Sequence, residues 1–82
     1  MIKKNLAQNN RFVVIASGTD MHVYLKEKLF LIASEMKNQS NFAPIHRHSV
    51  GYEIHSIEFS NNDKNLFCAS GVYNLSLYSM NT

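Results

Sequence analysis

The sequence predicts a mostly β protein built of antiparallel sheets, and three observations predict it. A strand-turn-strand phrase occurs twice, as IASGTDMHVYLKE at 15–27 and as CASGVYNLSLYSM at 68–80. The apolar runs are short, rich in β-branched and aromatic residues, and bounded by Asn, Asp, Ser or Gly, which is strand chemistry. Near the C-terminal end, Leu75 and Leu77 alternate with Ser76 and Tyr78, the two-residue period of a pleated strand.

Taken in order, residues 1–10 read as a polar lead-in expected to fray, because Asn5, Gln8, Asn9 and Asn10 dilute the apolar residues. Phe-Val-Val-Ile-Ala at 12–16 reads as a strand buried on both faces. Ser17-Gly18 supplies a turn, with Asp20 able to bond nearby amides, and 22–25 is the returning strand. Lys26-Glu27-Lys28 reads as a charged turn into a further strand at 29–33. The polar stretch 37–49 holds the one proline, Pro44, and reads as a long loop. Strand character resumes at 52–60, where Ile57 and Phe59 share a face, and Asn61-Asn62-Asp63-Lys64 is a polar turn. Leu-Phe-Cys-Ala at 66–69, Ser70-Gly71 and the strand 75–80 complete the second copy. Aligned on their glycines, Gly18 and Gly71, the copies are offset by 71 − 18 = 53 residues. One inserted residue in the second turn then sets Asp20 on Asn74 and Val23-Tyr24 on Leu77-Tyr78. Residues 11–82 form one small domain in this reading.

One rival pattern competes in the middle. Asp20 has the chemistry of a helix N-cap, and Met21, Leu25, Leu29, Ile32 and Met36 recur at helical spacing. A helix over about 21–38 would make the fold β-α-β-β-β, a small α+β domain.

Composition narrows the function classes. With 82 residues, 45% of them hydrophobic and 17% charged, the chain suits one small folded domain better than a disordered segment. A net charge of +2 from scattered Lys and Arg gives no basic stripe of the kind nucleic acid requires. The longest apolar runs are five residues each, 12–16 and 29–33, far short of the roughly 20 that span a membrane. A single cysteine, Cys68, rules out an intrachain disulfide and favours an intracellular setting, cytoplasmic or nuclear. Its apolar neighbours Leu66 and Phe67 suit packing better than thiolate chemistry.

At 54–82 the residues resemble a known family. IHSIEFSNNDKNLFCASGVYNLSLYSMNT is similar to the core of a WD-repeat: an apolar strand closing on Phe-Ser, a polar turn with Asp, a strand into Ala-Ser-Gly, then a third strand. RFVVIASGTDMHVYLKEKLFLIASEM looks like the second, third and fourth strands of a preceding blade. The pattern departs from the family in lacking the Trp-Asp dipeptide, where Tyr78-Ser79 and Leu25-Lys26 stand, and the Gly-His dipeptide, near which His46 and His48 lie. The resemblance implies about two degenerate β-propeller blades and a non-catalytic scaffold for protein–protein interaction, a complex subunit without cofactor. Two blades do not close a propeller, which takes four to eight, so 11–82 is expected to be either a propeller fragment or a small domain with a protein partner or self-association.

The alternative function is metal binding. His46-Arg47-His48 followed by Glu53 gives H-x-H-x4-E, similar to the first metal motif of the cupin family. His46 and His48 would share one side of a strand, Glu53 would join them, and His55 is a further nitrogen donor. The glycine that follows in that motif is missing, and no second cupin motif follows. Nothing else has catalytic spacing: no serine sits in G-x-S-x-G, and Ser17-Gly18-Thr19-Asp20 lacks the lysine and spaced glycines of a phosphate loop. Tyr24, Tyr52, Tyr73, Tyr78 and Phe42 supply aromatic surface, with Tyr24 and Tyr78 expected to pack between strands. The expectation is a protein with no catalytic, cofactor-binding or resident metal site.

Overall fold

The computed structural model describes residues 3–28 and 44–80. They form two antiparallel sheets. The first runs β1 (Leu6–Gln8), β2 (Phe12–Ser17), β3 (Asp20–Leu25) and β4 (His46–Ser49), in that spatial order. The second runs β5 (Ser56–Phe59), β6 (Leu66–Ser70) and β7 (Leu75–Ser79). Each sheet is a meander, so every pairing inside it joins strands consecutive among those described. The mostly β, antiparallel class is therefore the observed one.

The sheets meet where β1 approaches β5. The Lys4 amide donates to the His55 carbonyl at 2.8 Å, and Lys4 and Ser56 form a parallel bridge. Beyond the bridge the inner faces lie over a single core. Ala7, Phe12, Val14, Ala16, Met21 and Val23 of the first sheet join Ile57, Phe67 and Ala69 of the second, with Ile54 and Met80. Alternation explains the membership: Phe12, Val14 and Ala16 occupy one side of β2, while Ile15 and Ser17 face out. The strand at 12–16 is thus only partly covered on its second face, by burial of Val13.

Six expectations change. The lead-in 1–10 contains β1, because Ala7 reaches the core and Leu6–Gln8 pair with Val13–Ile15. The loop 37–49 contains β4; His46 and His48 take its inward positions, so no apolar alternation marked it. A helix starting at Met21 is excluded, since Asp20–Leu25 are hydrogen-bonded as a strand between β2 and β4. Lys26-Glu27-Lys28, expected as a turn, takes helical geometry, and the proposed strand 29–33 and the rest of the alternative helix lie outside the described residues. The strand expected over 52–60 is confined to Ser56–Phe59.

The sixth change concerns the repeat. Both copies are hairpins, yet Ser17 pairs with Asp20 across a two-residue loop, whereas Ser70 pairs with Leu75 across four residues. The second turn therefore carries two extra residues, 4 − 2, and Asp20 corresponds to Leu75 rather than Asn74. Val23 then corresponds to Tyr78. A one-residue slip exchanges the faces, which is why Tyr78 packs inside while Tyr24 stands on the outer side of β3.

Candidate interaction surface

The strand β7 is turned inside out. Its Leu-Ser-Leu-Tyr-Ser pattern suggests leucines packed inward, but Leu75 and Leu77 are 69% and 68% exposed. Three contacts hold the opposite face to the core. The Tyr52 hydroxyl donates to the Ala69 carbonyl at 3.1 Å and shares a 2.8 Å hydrogen bond with the Ser76 hydroxyl. Tyr78 stacks on Phe67 with ring centroids 5.5 Å apart and meets the His48 ring at 4.6 Å. Met80 is buried beyond the strand. With Ser76, Tyr78 and Met80 inward, strand parity sends Leu75, Leu77 and Ser79 outward. Leaving each leucine in water forgoes about 1.5–3 kcal/mol of burial, so this face is apolar surface available to a neighbour.

The same residues expose their backbone. The Gly71 amide donates to Asn74 at 2.9 Å, and the Met80 amide to Asn65 at 2.7 Å, closing the two ends of the β6–β7 ladder. Between those ends, every second residue of β7 bonds toward β6. In the observed register these are Ser76 and Tyr78, so the N–H and C=O groups of Leu75, Leu77 and Ser79 point to the other edge. Among the described residues β7 pairs only with β6. Beside this edge the outer face of the sheet holds Leu66, Cys68 and Glu58 around a shallow groove of about 160 Å³. Cys68 is half-buried there, paired with Leu77, in keeping with packing rather than nucleophilic chemistry. Val72 and Tyr73 extend the apolar surface around the turn, 56% and 94% exposed.

The metal candidates do not assemble. His46 and His48 do share one side of β4, with ring centroids 6.1 Å apart. Glu53, however, accepts an ion-paired hydrogen bond from Lys3, and that contact, together with the lysine charge, pulls its carboxyl below the usual carboxylate range. Among the described residues no group of three His, Cys, Asp or Glu side chains is placed to hold a metal ion. His48 instead packs its ring against Tyr78 of the second sheet.

That position makes the inter-sheet contact sensitive to pH. Partial burial, and then the neighbouring His46, hold the His48 pKa below the ordinary value of 6.5. The unfolded chain thus takes up this proton at higher pH than the folded one. Stability is present in full above pH 6.5 and falls as pH drops through the window from 6.5 down to the lower folded value. Urea unfolding of the wild type is expected to show a lower midpoint at pH 5 than at pH 7.5. In His48→Phe, which keeps an aromatic contact with Tyr78 and does not titrate, that difference is expected to shrink.

Sequence reasoning placed Tyr78 correctly between strands and missed the role of Tyr52, whose partners lie 17 and 24 residues away. Its only local signal was an aromatic residue beside a glycine. Comparison with family models, with curated proteins and with solved structures returns no match. No helix among the described residues is long and apolar enough to cross a membrane.

Proposed function

We propose that this chain is a non-catalytic protein–protein interaction or assembly element made of WD-repeat-like β units, working in an intracellular complex. The observation that supports it most is the inverted strand β7, which offers leucine side chains and, among the described residues, unpaired backbone along one edge. Such an edge is a template for another chain. A four-stranded meander followed by a three-stranded one, stacked over one core, suits radial packing of four-stranded blades with the last strand position of the second blade open. Repeat units of that kind bury their outer faces only against neighbours.

The test is the mass of the chain in its assemblies. Tagged wild-type chain, purified and in extracts of expressing cells, is expected to run in species larger than a monomer on native mass measurement. A Leu75→Lys, Leu77→Lys variant is expected to run smaller while keeping its far-UV circular dichroism, since both residues are exposed. A wild-type chain that stays a monomer in both settings overturns the proposal.

A further inference from the structure

The occupant of the β7 edge follows from its hydrogen bonding, its charge and its area. We infer that two copies of this chain pair through β7 in antiparallel fashion, joining their three-stranded sheets into one six-stranded sheet. The inference rests on the interaction-element reading and names its partner as a second copy.

Hydrogen bonding sets the register. Leu75, Leu77 and Ser79 present their N–H and C=O groups at the open edge, with Leu77 at the centre of the strand. Antiparallel pairing about a two-fold axis at Leu77 sets Leu77 opposite Leu77 of the second copy, and Leu75 opposite its Ser79. Each of these three pairs exchanges two main-chain hydrogen bonds, so 3 × 2 = 6 bonds form and no outward group of the strand is left over. On the outer face the two Leu77 side chains become direct cross-strand neighbours, with Cα atoms about 5.5 Å apart as in any hydrogen-bonded antiparallel pair.

Charge permits this pairing at β7 and opposes it at β4. Neither Leu66–Ser70 nor Leu75–Ser79 contains a charged residue or a proline, so no like charges oppose one another across the two-fold. Sheet edges are ordinarily blunted by charge, proline or bulges, and β7 has neither charge nor proline. The other terminal strand, β4, reads His-Arg-His-Ser; self-pairing there brings Arg47 and the histidines of two copies together. Of the two outer strands among the described residues, only β7 is therefore built for a copy of itself.

Area sets the strength. Val72, Tyr73, Leu75 and Leu77, exposed as given above, amount to roughly 500 Å² if a tyrosine counts about 200 Å². Two copies contribute at most roughly 1,000 Å², in the range of weak and transient interfaces. The dimer is thus concentration-dependent rather than permanent.

The test places a reporter on the two-fold axis. In a Cys68→Ser background, Leu77→Cys is expected to form a disulfide-linked dimer under mild oxidation, because paired Cα atoms in an antiparallel ladder fall within disulfide reach. Arg47→Cys on β4 is expected to remain monomeric under the same conditions. Sedimentation of the otherwise native chain is expected to show a monomer–dimer equilibrium whose midpoint rises more than tenfold in Leu77→Lys, which opposes two like charges. Crosslinking at Arg47→Cys as readily as at Leu77→Cys, or a midpoint unmoved by Leu77→Lys, overturns the inference. If the purified chain is monomeric yet travels in a larger species in extracts, the self-pairing fails while the interaction-element reading stands. A monomer in both settings removes both.

Discussion

Replacing Phe67 with alanine is expected to destabilise the chain by about 3–5 kcal/mol, a large share of its total stability. A chain of this length has roughly 4–12 kcal/mol of stability in total. Phe67 is 1% exposed, and its ring is the centre of an aromatic row. Phe59 lies on one side at a centroid distance of 5.5 Å, tilted by 56°, and Tyr78 lies on the other, nearly parallel. Through Tyr78 the row reaches His48 of the first sheet, so the cavity would open at the junction of both sheets. Because the two sheets share one core, the loss is expected to lower a single transition. Thermal unfolding followed by circular dichroism and by tyrosine fluorescence checks this: coincident curves at reduced temperature are the expected result. Two separated transitions, one unmoved by the substitution, would show that the sheets fold as independent units.

The distribution of apolar residues explains which parts of this fold were legible in the sequence. The hairpins β2–β3 and β6–β7 announce themselves because Phe12, Val14, Met21 and Phe67 carry strand chemistry up to recognisable turns. β1 and β4 do not. Only Ala7 of β1 reaches the core, and the inward residues of β4 are histidines. Both strands are held by backbone pairing to a neighbour already in place, a long-range cause that periodicity does not register. The alternation in β7 does not by itself say which face turns inward, for a related reason. Its alternation was plain, but which half faces inward is decided by Tyr52 and Phe67, far from it in sequence. Hydrophobicity alone favours the leucines; the hydroxyl bond to Ser76 and the ring stack on Tyr78 reverse the choice. The surface most suited to a partner was thus written in the sequence with its polarity hidden. The histidine motif was legible and led away from the structure, since adjacency on a strand brought two imidazoles together without a carboxylate.

The two glycines of the repeated Ala-Ser-Gly phrase are expected to respond to substitution in opposite orders. Gly18 opens a two-residue hairpin loop with φ +61° and has nothing within 4 Å of the position a Cβ would take. Its requirement is conformational: tight hairpin turns need positive φ, which alanine adopts at a cost of about 1–2 kcal/mol and asparagine adopts more readily. Gly71 has no positive φ, and a Cβ there would stand 2.8 Å from the Glu53 carbonyl oxygen and 2.8 Å from Cδ2 of Tyr52. Its requirement is space, and the carbonyl is main chain that does not swing aside. Alanine at Gly71 must displace the 52–53 segment, costing about 1–3 kcal/mol as overpacking. It also loosens the Tyr52 hydroxyl bonds to Ala69 and Ser76, worth about 1 kcal/mol each. Denaturant titration is therefore expected to rank Gly18→Asn as milder than Gly18→Ala, but Gly71→Asn as worse than Gly71→Ala. A double-mutant cycle separates the causes further. Tyr52→Ala removes one of the clashing groups and should absorb part of the Gly71→Ala penalty, while leaving the Gly18→Ala penalty unchanged. Equal ranking at the two glycines, or no coupling between Tyr52 and Gly71, would mean that the close approach does not govern the second hairpin. If the ranking inverts as expected, the same three-residue phrase serves a turn in one copy and a packing contact in the other. The packing contact is then what orients β7 with its leucines toward solvent.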